Sequence, residues 1–371
     1  MRSSYGFIGA VSLTSSAALL TAGMTGAPAT AAVDRVASGG APAAAARLAP
    51  GDPAGRVPVP AEARAVNTSR PTRVVGRGTP ASCTSEAVVR AVAAGGIITF
   101  SCGPKPVTIR MKATSKVVNT SAQVVLDGGG KVTLSGEGRR RILYMNTCDR
   151  AQKWTTSHCQ DQETPRLTVQ NLTFADGDAT GQRTDGGGGG AVFVRGGRFK
   201  VVGSSFVRNR CDTTGPDLGG AAIRVLDQSR DLPVYVVGST FTGGVCSNGG
   251  ALSSIGVSWV VLNSVMSGNR AVGRGANPAR GGTPGGGSGG AIYNDGDRFT
   301  TRIAGSVIRD NAANEGGGAV FFVSNDRTGT LTVERSTLRG NRSARFETEG
   351  YPGVFFLGSG KPRVVSSTLA R

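Results

Sequence analysis

From residue 167 onward the chain repeats itself: a Gly-Gly pair opens one apolar run, and a second run closes on a hydroxyl followed by an apolar residue. The glycine pairs are Gly189-Gly190, Gly219-Gly220, Gly249-Gly250, Gly289-Gly290 and Gly317-Gly318, and Gly353 opens a degenerate sixth run. Aligned on their ends, the closing runs place Thr173, Ser205, Thr240, Ser264, Ser306, Thr337 and Thr368 before Phe174, Phe206, Phe241, Val265, Val307, Leu338 and Leu369. The steps are 32, 35, 24, 42, 31 and 31 residues. A unit this short cannot bury an apolar face by itself, so successive units must stack, and stacking sets like residues above like. The expected architecture is an all-β parallel β-helix, with a hydroxyl ladder and an interior column of Phe, Val and Leu. Asn209, Asn269, Asn311 and Asn341 are expected at corners, where left-handed backbone geometry is cheap for Asn. With 58 glycines in 371 residues, many tight turns are affordable sterically.

Upstream of the repeat the composition changes twice. Residues 1–31 carry Arg2, an apolar stretch diluted by Ser and Thr, and Ala29-Thr30-Ala31, which reads as a secretory signal peptide and predicts a secreted, extracellular protein. No other stretch approaches about 18 apolar residues, so no transmembrane segment is expected. Residues 32–82 are rich in Ala, Pro and Arg without periodicity and are expected to be a disordered linker or propeptide. The β-helix domain is then 83–371. Thr84, Ser85 and Glu86 before an apolar helical pattern, with Gly95-Gly96 as a stop, predict a short helix over about 84–94 that caps the N-terminal end of the stack.

Six cysteines suit an exported chain, and spacing alone leaves fifteen pairings. The repeat narrows them to Cys83 with Cys102, Cys148 with Cys159, and Cys211 with Cys246, the last pair holding similar places in successive coils. There is no Cys-x-x-Cys and a single histidine, His158, so the cysteines do not read as a metal site. The net charge of +18 favours an acidic partner, an acidic polysaccharide or cell-wall glycan, and no specific nucleic acid is expected.

The stretches CTSEAVVRAVAAGGIITFSC and VVLDGGGKVTLSG, with the repeated GGA and S-x-F-x-x-N motifs, resemble the secreted right-handed parallel β-helix proteins of the pectate-lyase-like superfold. The resemblance is in particular to the bacterial group with polymorphic-membrane-protein-like repeats, over residues 83–371. The resemblance implies a site on the outer face of one sheet, under long loops from one edge, and is silent on activity. The polygalacturonase-like set of Asn-Thr-Asp, Asp-Asp, Gly-His-Gly and Arg-Ile-Lys is absent.

The most variable loops are about 175–188, 207–218, 242–248, 266–288, 308–316 and 339–352. Asp176, Asp178 and Asp185 in the first are candidates to hold Ca²⁺, which would acidify the C5 proton of a bound uronate. Arg183, Arg210 and Asp212 are the candidate catalytic groups, acting as base or clamp in β-elimination. Arg270, Arg274 and Arg280, on a glycine-rich insertion expected to be a mobile lid or a floppy loop, and Tyr293 are candidates for substrate binding. Tyr293 belongs to a column read as Phe193, Ile223, Ser253, Tyr293, Phe321 and Phe355, for which an interior position is favoured over an outer face. Asp212, Asp217, Asp295, Asp297, Asp310 and Glu315 could instead supply the paired acids of a glycoside hydrolase. The leading expectation is a polysaccharide lyase acting on a uronate-containing polymer; the alternative is a non-catalytic module that binds acidic glycans or cell wall.

Overall fold

The computed structural model describes residues 49–152 and 154–371, which form a right-handed parallel β-helix with one α-helix among them. The segment expected to be a signal peptide, and the linker as far as residue 48, lie outside the described residues. The strands fall into parallel sheets of seventeen, eight and four strands. Each coil contributes two strands to the largest sheet, such as Thr300–Ala304 and Val307–Arg309, and one to the eight-stranded sheet, such as Ile292–Gly296.

Strict alternation builds the core. In Val192–Arg195, Val192 and Val194 join the interior cluster while Phe193 and Arg195 point the other way. Inside, the rings of Phe174, Phe206 and Phe241 stack with centroids 5.1 and 4.6 Å apart and planes within 6° of parallel. The column continues as Met266, Ile308, Leu338 and Leu369. Burying each such side chain contributes about 1.5–3 kcal/mol.

That register corrects the expected alignment in two coils. Met266 and Ile308, not Val265 and Val307, lie inside; Val265 pairs with Thr240 and Val307 with Thr337. The hydroxyl ladder therefore runs through Ser204, Ser239, Ser264, Ser306, Ser336 and Ser367: Ser264 and Ser306 hold their expected places, and in the other coils it lies one residue before the expected Ser or Thr. Each Ser Oγ accepts the N–H of its counterpart in the preceding coil, from Ser239 and Ser204 at 3.2 Å to Ser367 and Ser336 at 3.0 Å. Each hydroxyl from Ser204 to Ser367 also donates to the carbonyl two residues before it. The neighbouring position, half-exposed, makes no such ladder and accepts Thr, Ser or Val alike.

The four asparagines are also placed differently. Asn209, Asn269, Asn311 and Asn341 are buried, without positive φ, and their amides satisfy backbone groups of adjacent coils. Asn311 Oδ1 accepts from Asn269 Nδ2 and Asn341 Oδ1 from Asn311 Nδ2, at 2.9 and 2.8 Å. Left-handed corners fall instead on residues such as Asn171, Asn263, Arg208 and Asp310.

The helix Ser85–Ala94 starts where Thr84 Oγ1 accepts the Ala87 N–H and ends where Gly95 turns at φ 68°. Val88, Ala91 and Val92 bury against the first coil and close the stack. All three expected disulfides form, with Cα atoms 5.7, 5.0 and 4.8 Å apart.

Residues 49–72, expected to be part of a disordered linker, instead run as a strap over the outer face of the large sheet. Gly51 donates to Thr240 Oγ1, Val57 N–H to Asn263 Oδ1, Val66 N–H to Gln170 Oε1, and Thr68 Oγ1 to Asp127 Oδ2. Val57 and Ala63 bury against Val237, Leu262 and Ala304, a second small core outside the solenoid. The composition concealed this because the strap is held by side chains of the coils rather than by any periodicity of its own. Arg73–Val75 then pairs with Gly96–Phe100.

Candidate functional site

The eight-stranded sheet presents two rows of side chains on its outer face. One runs Tyr144, Phe193, Arg224, Ser253, Tyr293, Phe321 and Phe355; the other runs Asn146, Arg195, Leu226, Ile255, Asp295, Val323 and Leu357. The first row corrects the expected column, since Ile223 lies inside and Arg224 takes its place. The outer-face reading holds over the interior one, although loops cover most of the row: Phe193, Tyr293 and Phe321 are buried yet stand outside the core cluster. Tyr293 and Phe321 stack at 4.9 Å.

Over the second row lies a cleft of about 670 Å³. Leu226, Ile255, Asp295 and Val323 line it from the sheet, Asp185, Asp217 and Asn277 from the variable loops, and Asp227 and Asn325 from the turns after the strands. Its central feature is a pair of carboxylates. Asn277 Nδ2 donates to Asp217 Oδ1 at 2.5 Å and to Asp295 Oδ2 at 3.0 Å, so the two oxygens lie no farther apart than the sum of those distances, 5.5 Å. The Tyr293 hydroxyl donates to the same Asp295 oxygen at 3.0 Å.

The two acids differ in surroundings. Asp217 is exposed, whereas Asp295 is half-buried. Burial pushes the Asp295 carboxyl above the usual aspartate value of 3.8, and the charge of Asp217 adds to this, against hydrogen bonds from Tyr293, Gly296 N–H and Asn277. Burial likewise raises Tyr293 well above 10.0 and keeps its proton on the phenol.

Below them Arg224 is fully buried. Its Nη1 donates to Ser253 Oγ at 2.5 Å and its Nη2 to the Asp217 carbonyl, while Nε has no partner. Burial pulls its pKa down to about 10, which leaves it a cation at neutral pH facing Tyr293, Asp217 and Asp295. A second group sits toward the N-terminal end, where Arg195 binds Asp185 at 2.6 Å and Asp227 at 3.2 Å. Burial raises Asp227, Arg195 opposes this, and the charge of Asp185 adds to it.

The other expected residues are placed apart from this pair. Asp176 is held by Arg208 through two hydrogen bonds of 2.8 and 2.9 Å, and Asp178 by Arg210 at 2.8 Å, while Asp185 turns into the cleft to Arg195 and Asn146. The trio does not converge, and among the described residues no group of three His, Cys, Asp or Glu is arranged to hold a metal ion. Asp176, Asp178 and Asp185 therefore do not form one ligand set for the expected Ca²⁺. Arg183 is exposed and reaches Asp212 at 3.8 Å; Asp212 accepts the Gly181 N–H. Arg270 and Arg274 are exposed. Arg280 is engaged by Glu315, Nη1 and Nη2 meeting its two oxygens at 2.9 and 2.8 Å.

Glu315 is 1% exposed and also accepts the Gly275 N–H at 2.8 Å. Burial alone would raise it, but Arg280, Gly275 N–H and Arg345 hold it below its usual value of 4.5. The glycine-rich insertion, expected to be a mobile lid or a floppy loop, is fastened to Glu315 through Arg280 and Gly275 and carries Asn277 over the two acids. Asp217 and Asp295 were within the pool of acids readable from sequence. Arg195, Arg224, Asp227 and Asn277 were not singled out; correct register of the Gly-Gly-Ala runs would have put Arg195 and Asp295 in one row.

No family model, curated protein sequence or solved structure matches the chain.

Proposed function

We propose that this chain is an exported carbohydrate-active β-helix protein that hydrolyses a glycosidic bond in the cleft over the eight-stranded sheet. The observation that carries this reading is the Asp217 and Asp295 pair, two close carboxylates in unlike environments. Asp295, raised and hydrogen-bonded by Tyr293, serves as the general acid that protonates the leaving oxygen. Asp217, exposed at the mouth of the cleft, serves as the nucleophile. Their oxygens, at most 5.5 Å apart, fall short of the roughly 6.5–9.5 Å of inverting enzymes and so favour the retaining arrangement. Arg224 opposes the negative charge from beneath, and Asn277 keeps both carboxylates aimed.

The resemblance to pectate-lyase-like β-helix proteins supports the choice of sheet face. The close carboxylate pair favours hydrolysis over the β-elimination expected from sequence. The test is incubation with neutral, amino-sugar and uronate polysaccharides, reading reducing ends and the ultraviolet absorbance of unsaturated products. New reducing ends without that absorbance support hydrolysis. Unsaturated products restore the lyase reading, and retention without any product restores the binding module.

A further inference from the structure

A second cavity, of about 390 Å³, lies on the outer face of the large sheet where the strap crosses it, away from the carboxylate pair. It is lined by Arg166, Arg198 and Lys200 from adjacent strands, by Tyr235, and by Glu62 and Glu163 at its rim. Arg166 and Arg198 are register partners on neighbouring strands, about 4.8 Å apart along the sheet. Arg198 and Lys200 are two residues apart on one strand and therefore share its outward face, while Phe199 and Val201 enter the core. Three cations are thus gathered on one small patch of sheet.

Their partners do not account for them. Glu163 is bound by Arg166 and reaches Arg230 at 3.5 Å. Glu62 accepts from the Tyr235 hydroxyl at 3.1 Å. Lys200 Nζ donates to two neutral carbonyls, Glu62 O at 3.0 Å and Arg64 O at 2.6 Å. Arg198 has no side-chain hydrogen bond and no ion pair among the described residues, and its Nε is buried without a partner. A buried guanidinium N–H left unmade is costly, and a like-charged neighbour adds to that cost. Burial lowers both Arg198 and Lys200; Tyr235 and Glu163 oppose this at Arg198 while Arg166 and Arg230 add to it, and at Lys200 the charge of Arg198 adds while Glu62 opposes.

We propose that this cavity is an oxyanion-binding site that takes a carboxylate, sulfate or phosphate group borne on a glycan, with Arg198 as its principal ligand. A guanidinium offers two parallel donors to such a group, and Lys200 adds a point charge beside it. The strap forms one wall through Glu62 and Val66, so an occupied site ties strap and sheet together. The site would let an exported, basic protein hold an acidic polymer on one face while the cleft works on another.

The test is isothermal titration of the folded protein with sulfate, phosphate and glucuronate at constant ionic strength in chloride, alongside thermal melting. Saturable binding that is about tenfold weaker in Arg198→Gln, partly kept in Arg198→Lys and unchanged in Asp295→Asn, supports the site. Response to glucuronate alone assigns a carboxylate source, and response to sulfate or phosphate assigns an ester source. Because Arg198 bonds to no other side chain, Arg198→Gln should fold and melt slightly higher than the parent in chloride. Equal anion response in parent and Arg198→Gln, or none from any of the three anions, overturns the proposal. Neither result bears on hydrolysis in the cleft.

Discussion

Asp217 and Asp295 are held within 5.5 Å of each other by one amide nitrogen, Asn277 Nδ2, which donates to both. The first comes from a loop between sheets and the second from a strand, 78 positions later in the chain by their numbers. The pair exists only because the coils are stacked.

Loss of either acid should abolish turnover while leaving the fold intact. Asp295→Asn and Asp217→Asn are each expected to lower kcat about 10²–10⁴-fold. Asp217→Asn should also lower the Asp295 pKa, because it removes a neighbouring negative charge that raises it. Carboxyl ¹³C titration of Asp295 in both backgrounds checks this, and an unchanged or higher value contradicts the assignment. In the active enzyme the anomeric configuration should be retained, as read by proton NMR of first products.

The same raised pKa links Asp295 to stability. Its folded value lies above the ordinary 3.8, so its contribution is fully present below about 3.8 and is lost as pH rises through the folded value. Asp295→Asn mimics the protonated form, so its melting temperature should gain on the parent as pH rises from 4 toward neutrality, on the order of a few degrees. A gap independent of pH would contradict the shift.

Glu315 acts with the opposite sign. Its folded pKa is depressed, so the stability it adds is present above the ordinary 4.5 and is lost as pH falls through the folded value. Glu315→Gln should cost about 2 kcal/mol near pH 7 and progressively less in acid. Amide exchange at Gly275 and Ala276 should rise in the variant, and turnover should fall with the loss of the Asn277 perch.

The two neighbouring hydroxyl columns separate cleanly by substitution. Ser264→Ala removes an acceptor for the buried Ser239 N–H and should cost about 1–3 kcal/mol in chemical denaturation. Thr337→Val, at a position where adjacent Val307 is already tolerated, should stay within about 0.5 kcal/mol. Equal losses would mean that both columns serve as ladders.

The coil period, the capping helix and all three disulfides were legible in the sequence because each leaves a local mark: a Gly-Gly pair, a Thr84 cap, a cysteine at like places in successive coils. Register was legible only to within one residue, since Ser-Val-Met and Ser-Val-Ile present an apolar residue at both candidate positions. Parallel pairing alone decides between Val265 and Met266. The site was less legible because charge clustering in sequence marked Asp176 and Asp178, which stacking then pairs with Arg208 and Arg210 one coil away. The acids that remain open are those whose coil-mates are apolar, and Asp295, with Ile255 and Val323 beside it, is one.

The strap changes how such a solenoid should come apart. Stacked repeats ordinarily melt from their ends, each coil held only by its neighbours. Here Gly51 and Val57 are fastened to Thr240 and Asn263, while Thr68 is fastened to Asp127. That lashing makes the span from the capping helix to the coil of Ala304 a single mechanical unit, leaving the later coils, from Val320 on, without a strap. Under load or near its melting point, the unstrapped coils should come apart first and the lashed ones last.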